Sequence, residues 1–334
     1  MSSILKGKNI LVTGGTGSIG HAIVDRALAE KAKTIKIFSN GENDLYEMNS
    51  DNKYKNLEFL IGNIQDENTV SSIVKGVDVV FHTAALKHVD RCESNPSEAI
   101  MVNTIGTRNL VKASTREGVK KLISVSTDKA VNPIGVMGAT KLLAEKLISA
   151  EALLHKSDTV FASVRFGNVL RTRGSILPKI EKQIEQGKSI TITDERMKRF
   201  FMTKEDAVNL LVDALKIAKG GETFVLKMPL LNLKDLFDVV KEIHAPKYGF
   251  KPSQIKTKVT GIRPGEKLVE YLLSDFEMEN VFETKDLFIL PPLLRKTSVK
   301  NYPGAKKPKN INSYFTTMKP INKEEIRKIL NRIY

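Results

Sequence analysis

A tight glycine turn between an apolar run and a helix constrains this chain more than any other feature. Asn9-Ile10-Leu11-Val12-Thr13 has the length and composition of a short strand, Ile19 to Glu30 reads as a helix, and Gly14-Gly15-Thr16-Gly17-Ser18-Ile19-Gly20 joins them. Glycines at 14, 17 and 20 let the turn tighten and the backbone approach a ligand, while the helix behind them presents free N–H groups to negative charge. The combination points to a seat for the pyrophosphate of a dinucleotide, formed by Gly14, Thr16, Gly17, Ser18, Ile19 and Gly20; a purely structural turn is the alternative.

Strand-like and helix-like segments go on alternating through the first half. Thr34–Phe38, Leu57–Ile61, Val77–His82, Lys121–Val125 and Val160–Val164 read as short strands, and Asn68–Lys75, Glu98–Glu117 and Val136–Leu154 as helices. This rhythm predicts an α/β fold, a Rossmann-type doubly wound parallel sheet covered by helices on both faces. From Arg171 onward it loosens into longer helices and basic or proline-bearing loops. The expected division is a dinucleotide-binding domain over 1–170, with a returning segment near 200–228, and a smaller interleaved C-terminal substrate domain from 171–199 and 229–334. Lys300 to Asn312 reads as an irregular linker before a final helix, Lys323 to Ile333.

With 334 residues, 41% of them hydrophobic, the chain can bury a sizeable core, which excludes disorder as its main state. No apolar run approaches the roughly 18 to 20 residues that cross a bilayer, and Met1 to Lys6 lack a signal peptide's apolar stretch, so a soluble, cytoplasmic chain is expected. The single cysteine, Cys92, excludes an internal disulfide and a multi-cysteine metal site. His21, His155 and His244 have no partners at metal spacing, and no metal is expected. The net charge is +15, of which +9 falls in residues 101–200. Such an excess suits nucleic acid, an anionic membrane or a phosphorylated small molecule, but the absence of Trp and of any aromatic-interleaved basic motif argues against nucleic acid.

The spacing Gly14-x-x-Gly17-x-x-Gly20 resembles that of short-chain dehydrogenase/reductase proteins. At the end of the second strand, Ser39 and Asn40 stand where an NAD site usually offers a carboxylate to the ribose 2′-hydroxyl. Small polar residues tolerate a 2′-phosphate, so NADP is expected over NAD, with Glu42 near enough to complicate the preference. Gly62-Asn63-Ile64-Gln65-Asp66 resembles the adenine-contacting loop of the superfamily, through Asn63 and Ile64. His82-Thr83-Ala84-Ala85-Leu86-Lys87-His88-Val89 resembles the small-residue loop that passes over the cofactor in extended members. That likeness implies cofactor contacts for Ala84, Ala85 and Lys87, and Asn103 matches a further motif of the superfamily.

The most specific segment is Ser126-Thr127-Asp128-Lys129-Ala130-Val131-Asn132-Pro133-Ile134-Gly135-Val136-Met137-Gly138-Ala139-Thr140-Lys141. It resembles the signature of UDP-N-acetylglucosamine 4,6-dehydratases and related capsular polysaccharide biosynthesis proteins. Arg165–Val169, Arg173-Gly174-Ser175, Thr193–Thr203 and Gly261–Lys267 continue the pattern in order, so the likeness covers nearly the whole chain. It implies oxidation of the sugar at carbon 4, loss of the carbon-5 proton and the 6-hydroxyl, and return of the hydride to carbon 6, with or without inversion at carbon 5. Thr127 would hydrogen-bond the 4-oxygen, Asp128 would act as acid at the 6-hydroxyl, Lys129 as base at carbon 5, and Lys141 would hold the cofactor ribose. Met137 departs from the superfamily's usual Tyr, whose phenolate takes the 4-hydroxyl proton; a thioether cannot do this. Asp128, Lys129 or a water relayed through Thr127 are the available replacements.

The resemblance implies that Lys87, Asn168, Arg173, Ser175, Arg196, Arg199, Arg263 and Glu266 contact the UDP-sugar, arginine forks suiting phosphate oxygens. Two other functions stay open. A UDP-hexose 4-epimerase would need no acid at carbon 6, and a non-catalytic NADP- or UDP-sugar-binding protein would explain Met137. A homo-oligomer is expected by resemblance.

Overall fold

The computed structural model describes residues 3–50, 53–154 and 158–334; Met1, Ser2 and His155 lie outside them. The strands β1 (Asn9–Thr13), β2 (Thr34–Ser39), β3 (Leu57–Ile61), β4 (Val79–His82), β5 (Lys121–Thr127) and β6 (Val160–Phe166) enter one large sheet. Its nine strands run Phe282–Glu283, Leu287–Leu290, Glu222–Leu226, β6, β5, β4, β1, β2, β3. Pairing is parallel from Glu222–Leu226 to β3, and antiparallel at the Leu287–Leu290 edge.

The period of two along each strand divides its side chains between two helix layers. Ile10 and Val12 of β1 join a core with Ile23, Val24, Ala207 and Leu211, from α1 (Ser18–Ala29) and the helix Lys204–Ile217. Leu11 faces the other way, into a core with Val70, Leu110, Val111 and Ile148. This is the doubly wound α/β arrangement that the alternation in sequence predicts, and the order reverses between β4 and β1, where such sheets open a crevice at their carboxyl ends.

A smaller lobe has its own core, in which Leu177, Ile180 and Ile184 meet Leu236, Phe237, Val240, Ile326 and Leu330. The strand Lys198–Met202 joins the lobes, because Phe200 and Met202 enter the large core while Met197 and Phe201 enter the small one.

Three sequence expectations meet a different arrangement. The chain comes back to the large sheet a second time: Phe282–Glu283 and Leu287–Leu290, expected in the smaller domain, form its antiparallel edge. The segment read as a linker is tied down there, since Tyr302 is buried and its hydroxyl donates to Glu222 Oε1 at 2.7 Å. The helix expected over Glu98–Glu117 is divided into Pro96–Ala99, a π-helical turn Ile100–Ile105, and Gly106–Arg116.

Candidate active site

A cleft of about 590 Å³ opens along the carboxyl ends of β1, β2, β4, β5 and β6. Gly14 has φ +68°, and a Cβ there would stand 2.8 Å from Ala84 N, so two backbones meet where a side chain has no room. Gly17 precedes α1 without a side-chain cap, leaving the first-turn N–H groups of that helix for a ligand. Thr16, Gly17, Ser18, Ile19 and Gly20 all line this end. A bare glycine cradle against a helix N-terminus fits the pyrophosphate of a dinucleotide.

Ser39 and Asn40 line the adjoining wall, and Ser39 Oγ lies 3.0 Å from Thr16 Oγ1. The carboxylate that reaches this wall is Asp44, from the first turn of α2 (Glu42–Ser50). Arg173 Nη1 donates to it at 2.8 Å, Arg173 Nη2 donates to Thr16 O, and Arg173 N donates to Ser18 Oγ at 2.9 Å. Arg173 therefore straps the smaller lobe over the glycine turn. Asn63, Ile64, Ala84 and Ala85 line the same cleft, as do Lys87, Asn168 and Ser175. Lys87 donates to Arg173 O at 2.6 Å, and burial followed by the Arg173 charge lowers its pKa.

Asn103 does not line the cleft. It sits buried in the π-helical turn, accepts from Leu86 N at 2.8 Å and donates to Leu86 O at 3.0 Å and Thr140 Oγ1 at 3.1 Å. It ties the loop at Leu86 to the helix Val136–Leu154 through Thr140. His82 is likewise buried, between Thr13 Oγ1 at 2.7 Å and Thr107 Oγ1 at 2.9 Å. Burial and the nearby Lys141 charge push its pKa down to about 3.

β5 ends at the chemical centre. Thr127, Lys129, Met137 and Lys141 face the cleft, the last two one turn apart on the helix Val136–Leu154. Gly138 is needed there, as a Cβ would lie 2.2 Å from Lys129 O. Burial brings the Lys141 amine down to about 8, against the opposing pull of Glu145. Met137 packs with Cys92 and Ala99. Asp128 is fully buried behind this wall; its Oδ1 accepts from Thr127 Oγ1 at 3.0 Å and Lys129 Nζ at 2.9 Å, while Oδ2 has no hydrogen-bond partner. Asp128 itself does not line the cleft; Thr127 and Lys129, which hydrogen-bond it, do.

Lys129 Nζ also donates to Asn168 Oδ1 at 3.3 Å and lies 3.7 Å from Glu270 Oε1. Burial opposes its charge, but Asp128 and Glu270 outweigh that and raise its pKa. Glu270, missed in the sequence reading, is pushed up by burial and drawn back by Lys129, Arg199 and Lys267. Its only local signal is a carboxylate three positions after Lys267.

Four expected substrate contacts lie away from the cleft. Arg199 is buried, donating to Lys267 O, Leu268 O and Lys198 O beside the Lys129–Glu270 pair. Arg196 forks onto Asp194 on the exposed surface. Arg263 is exposed, and Glu266 Oε2 accepts from Arg263 N at 3.4 Å. Among the described residues no group of His, Cys, Asp and Glu could hold a metal, and no helix is long and apolar enough to cross a membrane.

The sheet and its switch-point cleft, walled by Thr127, Lys129 and Lys141, define a Rossmann-type α/β protein. Residues 10–292 match the model of the family described as "Polysaccharide biosynthesis protein", and the chain belongs to that family. An "uncharacterized membrane protein" of Methanocaldococcus jannaschii is 47% identical over 100% of this chain and 98% of its own. A "UDP-glucose 4-epimerase" of Rickettsia bellii is 38% identical over 97% and 95%. The X-ray structure of Pen from Bacillus thuringiensis has 41% identity and a TM-score of 0.89, covering 98% of each chain. These likenesses set the chain in the polysaccharide biosynthesis family, beside a relative that is named a UDP-glucose 4-epimerase.

Proposed function

We propose that the protein is a nucleotide-sugar 4,6-dehydratase that takes UDP-N-acetylglucosamine to a UDP-4-keto-6-deoxy-N-acetylhexosamine for surface polysaccharide synthesis. The observation that carries this reading is the contact of 2.9 Å between buried Asp128 and cleft-lining Lys129, with the Thr127 hydroxyl on the same carboxylate oxygen. Oxidation at carbon 4 alone needs one proton acceptor, and elimination needs an acid and a second base as well.

The glycine cradle and Lys141 fit a nicotinamide dinucleotide, which when bound would take hydride from carbon 4 and return it to carbon 6. NADP is the reading we favour over NAD: Ser39 and Asn40 carry no charge, and Asp44 is already paired with Arg173 at 2.8 Å. Lys87, Asn168, Arg173 and Ser175 are the residues that would hold the UDP-sugar. With a thioether at Met137, the 4-hydroxyl proton passes through Thr127 Oγ1 to Asp128, which then protonates the departing 6-oxygen by the same hydroxyl. Lys129 takes the carbon-5 proton.

The relatives named UDP-glucose 4-epimerase support a second reading, epimerisation at carbon 4. Proton NMR of the product separates the two. A new methyl doublet at carbon 6 is expected; a UDP-N-acetylgalactosamine spectrum with no methyl would favour the epimerase, and unchanged substrate with intact binding a non-catalytic protein. Ile100, Met101 and Leu143, exposed on the neighbouring segments 96–105 and 136–154, support a homo-oligomer formed through those helices. Sedimentation should give more than the monomer mass.

A further inference from the structure

Lys129 and Met137 stand between two cavities. On one side is the cleft, and on the other a crevice of about 10 Å³, room for about one water, lined also by Gly265, Lys267 and Glu270. Glu270 is 2% exposed, and its Oε2 has no hydrogen-bond partner, 3.8 Å from Lys267 Nζ. The charged groups facing it are Lys129 and Asp128 from the end of β5, Arg199 from the strand Lys198–Met202, and Lys267 from its own segment.

Resting on the dehydratase reading, the proton count leaves one gap. Asp128 is filled by the 4-hydroxyl proton when carbon 5 must lose its own. Lys129, held as an ammonium by two carboxylates, can accept nothing until a proton leaves it. We propose that Glu270 is the proton store of Lys129, taking a proton from its ammonium before the elimination and returning it afterwards. The Nζ–H bond breaks as an O–H bond forms on Glu270, directly after a small approach from 3.7 Å or through one water in the crevice. The neutral amine then takes the carbon-5 proton. The electron pair of that bond becomes the carbon 5–carbon 6 double bond, and the 6-oxygen leaves as water with the proton from Asp128. When hydride returns to carbon 6, Lys129 protonates carbon 5 and recovers its proton from Glu270. Glu270 touches no substrate atom in this scheme and acts through Lys129, as a positioning residue.

The test uses Glu270→Gln and Glu270→Asp in the full chain. The titration of Lys129 is read from the pH dependence of its acylation by acetic anhydride, mapped by peptide mass spectrometry, a readout that needs no turnover. Its midpoint should fall by about one pH unit in Glu270→Gln and stay near wild type in Glu270→Asp. In the same proteins kcat for water loss should drop at least tenfold, to roughly the order lost with a proton-transfer group, in the Gln variant alone, with the Kd for NADP unchanged in both. An unmoved Lys129 midpoint, or wild-type kcat in Glu270→Gln, would overturn the proposal. If the wild-type protein releases no dehydrated product, the reaction reading fails separately, and the titration still decides whether Glu270 governs Lys129.

Discussion

Asp128 and Lys129 are neighbours in sequence, yet they do different things to the cleft wall. The aspartate is wholly buried, while the lysine side chain is 23% exposed and reaches the cleft. Asp128→Asn and Lys129→Ala should each abolish water loss while leaving the NADP Kd within about twofold, measured by fluorescence titration, because neither touches the glycine cradle. Arg196 offers the converse: its guanidinium is committed to Asp194 on the surface, so Arg196→Ala should leave KM within about twofold. His82 predicts a pH dependence of stability. Its folded pKa of about 3 lies below the ordinary 6.5, so its contribution is complete above pH 6.5. As pH falls from there toward 3, the unfolded chain takes up a proton that the folded one refuses, and stability drops by up to about 1.4 kcal/mol per pH unit. Urea midpoints across that range should fall less steeply in His82→Gln. At this scale the sequence reveals groups that are contiguous in the chain, the glycine turn and the Thr127–Lys129 run, which come together along one cleft. Glu270 was invisible because only tertiary packing brings it to Lys129, and Arg199 misled because a basic side chain reads the same whether it grips phosphate or a buried carbonyl.

Elements were legible where their apolar pattern was complete. β3 and the helix Val136–Leu154 have the boundaries the pattern predicts, but β5 and β6 run on to Thr127 and Phe166, past the apolar runs. Three of the four extra residues, Ser126, Thr127 and Arg165, are polar and so broke the apolar pattern; Arg165 is buried against Glu145 and Glu277. The π-helical turn had no periodic signal, since a single extra backbone residue shifts the pattern without breaking it. The close meeting of the β1 turn with the β4 loop gives a test at this scale. Gly14→Ala should raise the NADP Kd at least tenfold, about the order of 1.4 kcal/mol, because the added Cβ forces the Ala84 backbone away. Calorimetric titration checks it, and a fold preserved by circular dichroism separates the effect from unfolding.

The whole molecule is a sheet built in three passes, and the last pass was the part hidden in sequence. Phe282–Glu283 and Leu287–Leu290 are too short and too far from the alternating half to declare their sheet, and the Lys-rich segment after them looks solvated until Tyr302 is seen to be buried. Tyr302→Phe removes a donor from the buried Glu222 and should cost about 1–3 kcal/mol by urea denaturation, with kcat unchanged because the contact lies at the amino ends of the strands. The most direct measurement of the central claim, that the Thr127–Asp128–Lys129 wall performs an elimination, is mass spectrometry of UDP-N-acetylglucosamine incubated with the protein and NADP in heavy water. Loss of one water together with deuterium at carbon 5 is the expected result. An unchanged mass, or a product of substrate mass with an inverted carbon 4, would contradict it.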